Sequence, residues 1–108
     1  MAQTLKIFGQ NKPDAGFNTN LFTVTINNQA QVSIFVANQS NVYDRFTIAL
    51  VPDDQSEQPE NYIAYNTYLY PNGVIAFSGL YFNSGDRVQV SSENGNCSFT
   101  ATGIEFLP

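Results

Sequence analysis

The sequence predicts an all-β chain: a single antiparallel β-sandwich, jelly-roll or immunoglobulin-like, of seven to eight strands with an extended N-terminal arm. Three observations carry this. Apolar residues recur with period two along most of the chain, turn residues interrupt them at roughly ten-residue intervals, and no stretch carries the 3.6-residue period of an ordinary helix. The 108 residues suit one domain with a real core and leave little for an elaborate catalytic annex.

Residues 1–18 behave differently from the rest and are assigned as an N-terminal strand or arm, with the sandwich domain over 19–108. TLKIF suits a short strand, and QNKPDAG is breaker-rich and extended. Leu5, Ile7 and Phe8 need burial, either on an edge of their own sandwich or on a neighbouring subunit by strand addition.

The strand TNLFTVT ends at the turn signal Asn27-Asn28. Residues 29–38 place Ala30, Val32, Ile34 and Val36 in one row, which is the core row, and stop at NQSN. Residues 43–51 alternate Phe46, Ile48 and Leu50 against Arg45, Thr47 and Ala49, and end at Pro52. PDDQSEQPE is too polar and proline-bounded for a strand. Residues 61–70 and 74–82 flank Pro71-Asn72-Gly73, and the Asn-Gly pair suits a tight hairpin. Asn83-Ser84-Gly85-Asp86 then leads to RVQVSS, and Glu93-Asn94-Gly95-Asn96 leads to CSFTATGIEF, consistent with an antiparallel meander over the last strands.

That hairpin holds more aromatic surface than one buried face needs. Strict alternation puts Ile63, Tyr65, Thr67 and Leu69 in the core, and Tyr62, Ala64, Asn66, Tyr68 and Tyr70 on the other face. The partner strand sets Val74, Ala76, Ser78, Leu80 and Phe82 against Ile75, Phe77, Gly79 and Tyr81, so both faces look apolar. Tyr62, Tyr68 and Tyr70 then read as cross-strand pairs on a wet sheet, as a subunit contact, or as a stacking platform for sugar.

Composition excludes several function classes. Net charge is -5, and Lys6, Lys12, Arg45 and Arg87 are the only basic side chains, too few to track a phosphate backbone; no nucleic-acid partner is expected. The opening MAQTLKIFGQ lacks the charged segment and apolar run of a secretion signal, and no stretch is long enough to span a bilayer as a helix; the chain reads as a soluble protein made in a cytoplasm, with no membrane partner. There is no histidine, so Ser-His-Asp and Cys-His nucleophile pairs are impossible and the usual zinc, copper and iron sites lose their main nitrogen ligand. No catalytic, cofactor-binding or metal residue is therefore assigned, and no enzyme activity is expected. Cys97, the single cysteine, sits in an alternating run and reads as a small buried residue. Asp53, Asp54, Glu57 and Glu60 match no compact calcium loop and read as a solvated acidic loop. Asp44-Arg45 and Asp86-Arg87 read as exposed ion pairs or turn caps.

The ordered pieces IFGQNKPDAG, TNLFTVT, QVSIFVANQS, DRFTIALVP, NYIAYNTYLYPNGVIAFSGLYFNSGDRVQV and NCSFTATGIE resemble small virion structural proteins of tailed bacteriophages. The matching positions are Gly9, Gln10, Pro13, Asn38, Pro52, Tyr62, Ile63, Tyr65, Gly79, Leu80, Gly85, Asp86, Val88, Gly103 and Glu105. The chain departs from the pattern at Val24-Thr25-Ile26-Asn27-Asn28, where the familiar form carries a Val-Pro-Ala-Gly-like turn. The resemblance covers nearly the whole chain and implies a β-sandwich made in the host cytoplasm and built into a virion. Modules of this kind occur both as head decoration or cement proteins and as tail or fibre components; the expectation adopted is a head decoration protein that binds the major capsid protein and itself, as a homo-oligomer such as a trimer. The alternatives are a tail or fibre accessory protein and a carbohydrate-binding host-adhesion module. Candidate interface residues are Leu5, Ile7, Phe8, Tyr62, Tyr68 and Tyr70.

Overall fold

In the computed structural model, which describes residues 2–108, two four-stranded antiparallel sheets enclose one core. The strands are β1 (Ala2–Asn11), β2 (Thr19–Thr23), β3 (Gln29–Asn38), β4 (Asp44–Val51), β5 (Tyr62–Leu69), β6 (Val74–Phe82), β7 (Arg87–Ser92) and β8 (Cys97–Leu107). A single 3-10 turn, Pro59–Asn61, lies within the polar loop before β5. The first sheet has the order β1-β8-β3-β6 and the second β2-β7-β4-β5.

The pairing has a simple logic. β4 pairs with β5, β3 with β6, β2 with β7 and β1 with β8, as though one long hairpin with its tip at the β4–β5 loop had been rolled up. Rolling brings β3 against β8 and β4 against β7, and the two sheets result. This is the jelly-roll arrangement, and its sheet order rules out the immunoglobulin-like alternative. Residues 2–11 form the first sheet's edge strand on β8 of the same chain.

The roll corrects the reading of the aromatic segment. β5 and β6 lie in different sheets, so Pro71-Asn72-Gly73 is a crossing between sheets and not a hairpin. The turn itself forms as its residues dictate: Asn72 has φ 56°, and the Gly73 amide donates to the Tyr70 carbonyl at 3.0 Å. The β6–β7 and β7–β8 connections also cross, so there is no meander; of all the connections only β4 to β5 stays within a sheet.

Strict alternation also fails in β5 and β6, for the same reason in each. Between Phe46 and Ile48 the register of β5 gains a residue at Asn66, whose φ is 45°, and between Val32 and Ile34 that of β6 gains one at Gly79, whose φ is 72°. Each bulge flips the side-chain pattern beyond it. In β6, Ile75 and Phe77 before the bulge and Leu80 after it all pack on the core, with Phe82 buried within it. In β5 a second register shift, between Ile48 and Ala49, reverses the pattern once more, so the core takes Ala64 and Leu69, Tyr62 and Tyr68 both face out, and Ile63 and Tyr65, assigned to the core by alternation, stand exposed. The seemingly double-faced apolar segment thus has one core face.

β3 follows the expected row, with Val32, Ile34 and Val36 fully buried; β4 contributes Phe46 and Ile48. Phe46 lies edge-on to both Phe77 and Phe99, 6.2 and 6.4 Å between ring centroids, joining the two sheets at mid-core. A fully buried ring of this size contributes roughly 2–3 kcal/mol. Ala49 and Val51 point away from this core yet are buried as well. The loop over 52–61 folds back across the second sheet, held by Arg87 donating to the Gln55 carbonyl at 2.9 Å and by Tyr62 and Asn18 donating to Glu57.

One end of the roll is closed by two buried polar side chains. The Asn38 amide donates to the carbonyls of Val42, Leu69 and Tyr70, and its oxygen accepts from the Ser40 amide, so β3 of the first sheet is tied to β5 of the second. Asp44 is buried and not an exposed ion pair: it accepts from Ser92 Oγ at 2.6 Å and from the amides of Arg45, Asn94 and Asn96. Burial alone would raise its pKa, but these hydrogen bonds outweigh that and hold it below the ordinary carboxylate value. Asp86 is a turn cap, as read, accepting from the Asn83 and Asp53 amides.

A depressed folded pKa means that Asp44 adds stability above its unfolded value of about 4, and that this is lost as pH falls through the lower folded value. Asp44→Ala should cost about 3 kcal/mol at neutral pH by urea unfolding, because several donors lose their acceptor. Its deficit against wild type should shrink below about pH 4. Equal stability at neutral pH would refute this role.

Candidate functional site: a tyrosine face and a bare sheet face

Four of the candidate residues, Tyr62, Tyr68, Leu5 and Ile7, fall on two opposite surfaces. Tyr62 and Tyr68 project from the outer face of the second sheet, as Tyr62 pairs with outward Ala49 and Tyr68 with outward Arg45. Tyr65, released by the Asn66 bulge, joins them, its ring 4.8 Å from that of Tyr62. Glu57 accepts from the Tyr62 hydroxyl at 2.7 Å, and this hydrogen bond raises the tyrosine's pKa. Pro59, Tyr62 and Tyr65 line a shallow groove there. At the other end of the face the Arg45 guanidinium lies 4.3 Å over the Tyr68 ring and also donates to its hydroxyl, and Tyr43 stands edge-on to Tyr68 at 6.0 Å. Tyr70 sits at the crossing, against Gly73, where a Cβ would meet its ring.

Leu5 and Ile7 lie on the far side of the molecule, on the outer face of the first sheet, because Leu5 pairs with Ile104 and Ile7 with Thr102 of β8. Phe8 is separated from them by a bulge between Ile7 and Gly9: its ring packs on the core, 5.2 Å from Phe22, with Lys6 above it. Phe8 is therefore occupied within its own chain, whereas Leu5 is 80% exposed.

Side chains that alternation did not single out complete this second surface. The cross-strand register puts Leu5, Ile104, Gln31 and Tyr81 in one row, with Phe35 and Ala76 in a row further along and Val74 in the next. Phe35, Val74 and Tyr81 are exposed. Their common face could not be read from the sequence, since they come from strands distant along the chain and the Gly79 bulge reverses the direction of half of β6.

Away from these faces, Cys97 and Glu105 are committed to the fold. Burial and the neighbouring Asp44 push the Cys97 thiol up to about 11, in accord with a packed rather than reactive cysteine. Glu105 is held below the usual carboxylate range, first by a hydrogen bond from Asn28, and pairs with Lys6 at 3.2 Å. Among the described residues no three acidic or thiol side chains converge as a metal site would require.

No protein-family model matches the chain, and no curated protein sequence matches it. Solved structures do. The chain is similar to a structure of the infectious bursal disease virus Gx strain, with TM-score 0.50, 12% identity and 96% of this chain covered. It is also similar to the VP2 subviral particle of that virus (TM-score 0.48, 14% identity, 96% covered) and to its T13 viral particle (0.46, 13%, 95%). The chain spans about a third of the length of these matched chains, 31% in the first. At such identity the first likeness bears on fold alone, and it agrees with the jelly-roll order of the strands.

If Phe8 serves the core and Leu5 does not, Phe8→Ala should cost about 2 kcal/mol in urea unfolding and Leu5→Ala well under about 0.5 kcal/mol. Equal losses would contradict the division between them.

Proposed function

We propose that this chain is a non-enzymatic virion structural protein, a bacteriophage head decoration protein that binds the capsid and stabilises it by repeated contact. The observation that carries the reading is a jelly-roll that matches a viral structure over 96% of its length while its sheet faces expose large aromatic side chains, Tyr65 and Tyr68 on one and Phe35 and Tyr81 on the other. Adhesion by area fits such a surface: each copy adds a modest contact, and repetition over a symmetric lattice multiplies it through effective concentration. The tyrosine face is the capsid-facing surface in this reading. Tyrosine and arginine are the side chains most often dominant at protein contacts, and the stack of Arg45 on Tyr68 pre-orders both.

One observation favours a second reading. The tilted Tyr62 and Tyr65 rings, with Pro59 beside them and the Glu57 carboxylate at the rim, offer an apolar platform with a hydrogen-bond acceptor, which suits a sugar ring in a host-adhesion module.

Immunogold labelling of particles should place the protein on the head. Tyr68→Ala should weaken capsid binding about thirtyfold, equivalent to about 2 kcal/mol, while lowering monomer stability by less than about 1 kcal/mol. Unchanged capsid binding in Tyr68→Ala and Tyr70→Ala would overturn the capsid-facing assignment. A glycan-array signal lost on Tyr65→Ala would favour the adhesion reading.

A further inference from the structure

The two sheets differ in what covers their outer faces. The second sheet is shielded over Ala49 and Val51 by the loop over 52–61, and carries Arg45 and Arg87. The first sheet has no such cover among the described residues, and its outward rows contain no Asp, Glu, Lys or Arg. β1 and β8 hold charges at Lys6 and Glu105, but their register places both on the inward side, where they pair with each other. All four strands of this face instead present apolar side chains: Leu5 on β1, Ile104 on β8, Phe35 on β3, and Tyr81 (75% exposed) and Val74 (59% exposed) on β6.

We propose that this face is where a second copy of the chain docks, sheet against sheet. The inference rests on reading the chain as a self-assembling structural protein, and assigns that assembly to a surface distinct from the tyrosine face. Charge argues for a like partner. The chain carries a net charge of -5, so two copies repel wherever their charged surfaces meet, and this uncharged face lets them approach without opposing charges of one sign. Area argues the same way. Four strands about 4.8 Å apart and about nine residues long make a face of roughly 600 Å², so a pair buries roughly 1,200 Å², the lower end of what stable interfaces bury. The packing is of a known kind, since two sheets stack about 10 Å apart with side chains interdigitating, and Gln31, Ser33, Thr100 and Thr102 supply hydrogen-bonding groups among the apolar ones.

Sedimentation equilibrium of the full chain over roughly 1–100 μM should show a reversible dimer or a higher even-numbered assembly. Leu5→Glu and Tyr81→Lys lie on opposite edge strands at highly exposed positions, so each should keep the circular dichroism and urea midpoint of wild type. Each should raise the dissociation constant at least about a hundredfold, because each places an unpaired charge in the contact. Tyr68→Ala, on the opposite face, should leave the mass unchanged. A monomer throughout that range overturns the proposal, as does an assembly that both charged variants leave intact. If Tyr68→Ala dissociates such an assembly, the structural-protein reading survives with its interface moved. If self-association behaves as described but labelled particles carry none of the protein, the dimer face stands and the virion reading falls.

Discussion

The rest of the structure depends on how the open end of the roll is closed. A sandwich whose connections nearly all cross from sheet to sheet leaves loops at each end with carbonyls and amides that have lost their strand partners. Buried groups of this kind are costly unless paired. Asn38 and Asp44 meet that need with complementary chemistry: the amide group of Asn38 feeds donors to carbonyls at the end of β5, and the carboxylate of Asp44 gathers amides from the β7–β8 turn. Ser92 bridges to the adjoining strand start, accepting from the Cys97 amide while donating to Asp44. With that end closed, Phe46 can stand between Phe77 and Phe99 and the sheets keep their spacing.

Much of the fold was legible because strand formation and turn formation are local. The alternation of Val32, Ile34 and Val36, the stop at Pro52 and the Asn-Gly turn are decided within a few residues. What was not legible is decided by partners far along the chain. Pro71-Asn72-Gly73 makes the same tight turn whether the chain returns beside its own strand or steps to the other sheet, so the hairpin and the crossing look alike in sequence. A bulge is equally silent: Asn66 and Gly79 tolerate positive φ, but nothing local demands it, and a shift of one residue reverses every side chain after it. Tyr62 and Tyr68 were rightly placed outside, Tyr65 was not, and Phe35, Val74 and Tyr81 became a surface only when β3 and β6 were laid side by side.

Several of the positions that carry the resemblance to phage virion proteins have, in this chain, a structural explanation. A Cβ at Gly9 would run into the Leu21 carbonyl and one at Gly103 into the Gln31 carbonyl; Asn38 and Asp86 fasten turns; Glu105 pairs with Lys6. Such residues specify the roll rather than a use for it. In the function proposed above, use falls instead to the tyrosine face, where charge and aromatic rings are combined, and to the neutral face of the first sheet, where charge is withheld.

The pairing of β1 with β8 also orders events in time. Only β4 and β5 are consecutive strands that pair within one sheet, through the loop over 52–61; each further pair encloses a longer stretch of chain, and β1 can find its place only after β8 exists. During synthesis the segment with Leu5, Ile7 and Phe8 must wait, unpaired and partly apolar, until nearly all the described chain has emerged. Closing so long a loop makes acquisition of the native state slow, and leaves the waiting strand open to capture by the β8 of another chain. Exchange of β1 between copies, leaving every hydrogen bond of the fold intact, is the misassembly to which this topology is most exposed.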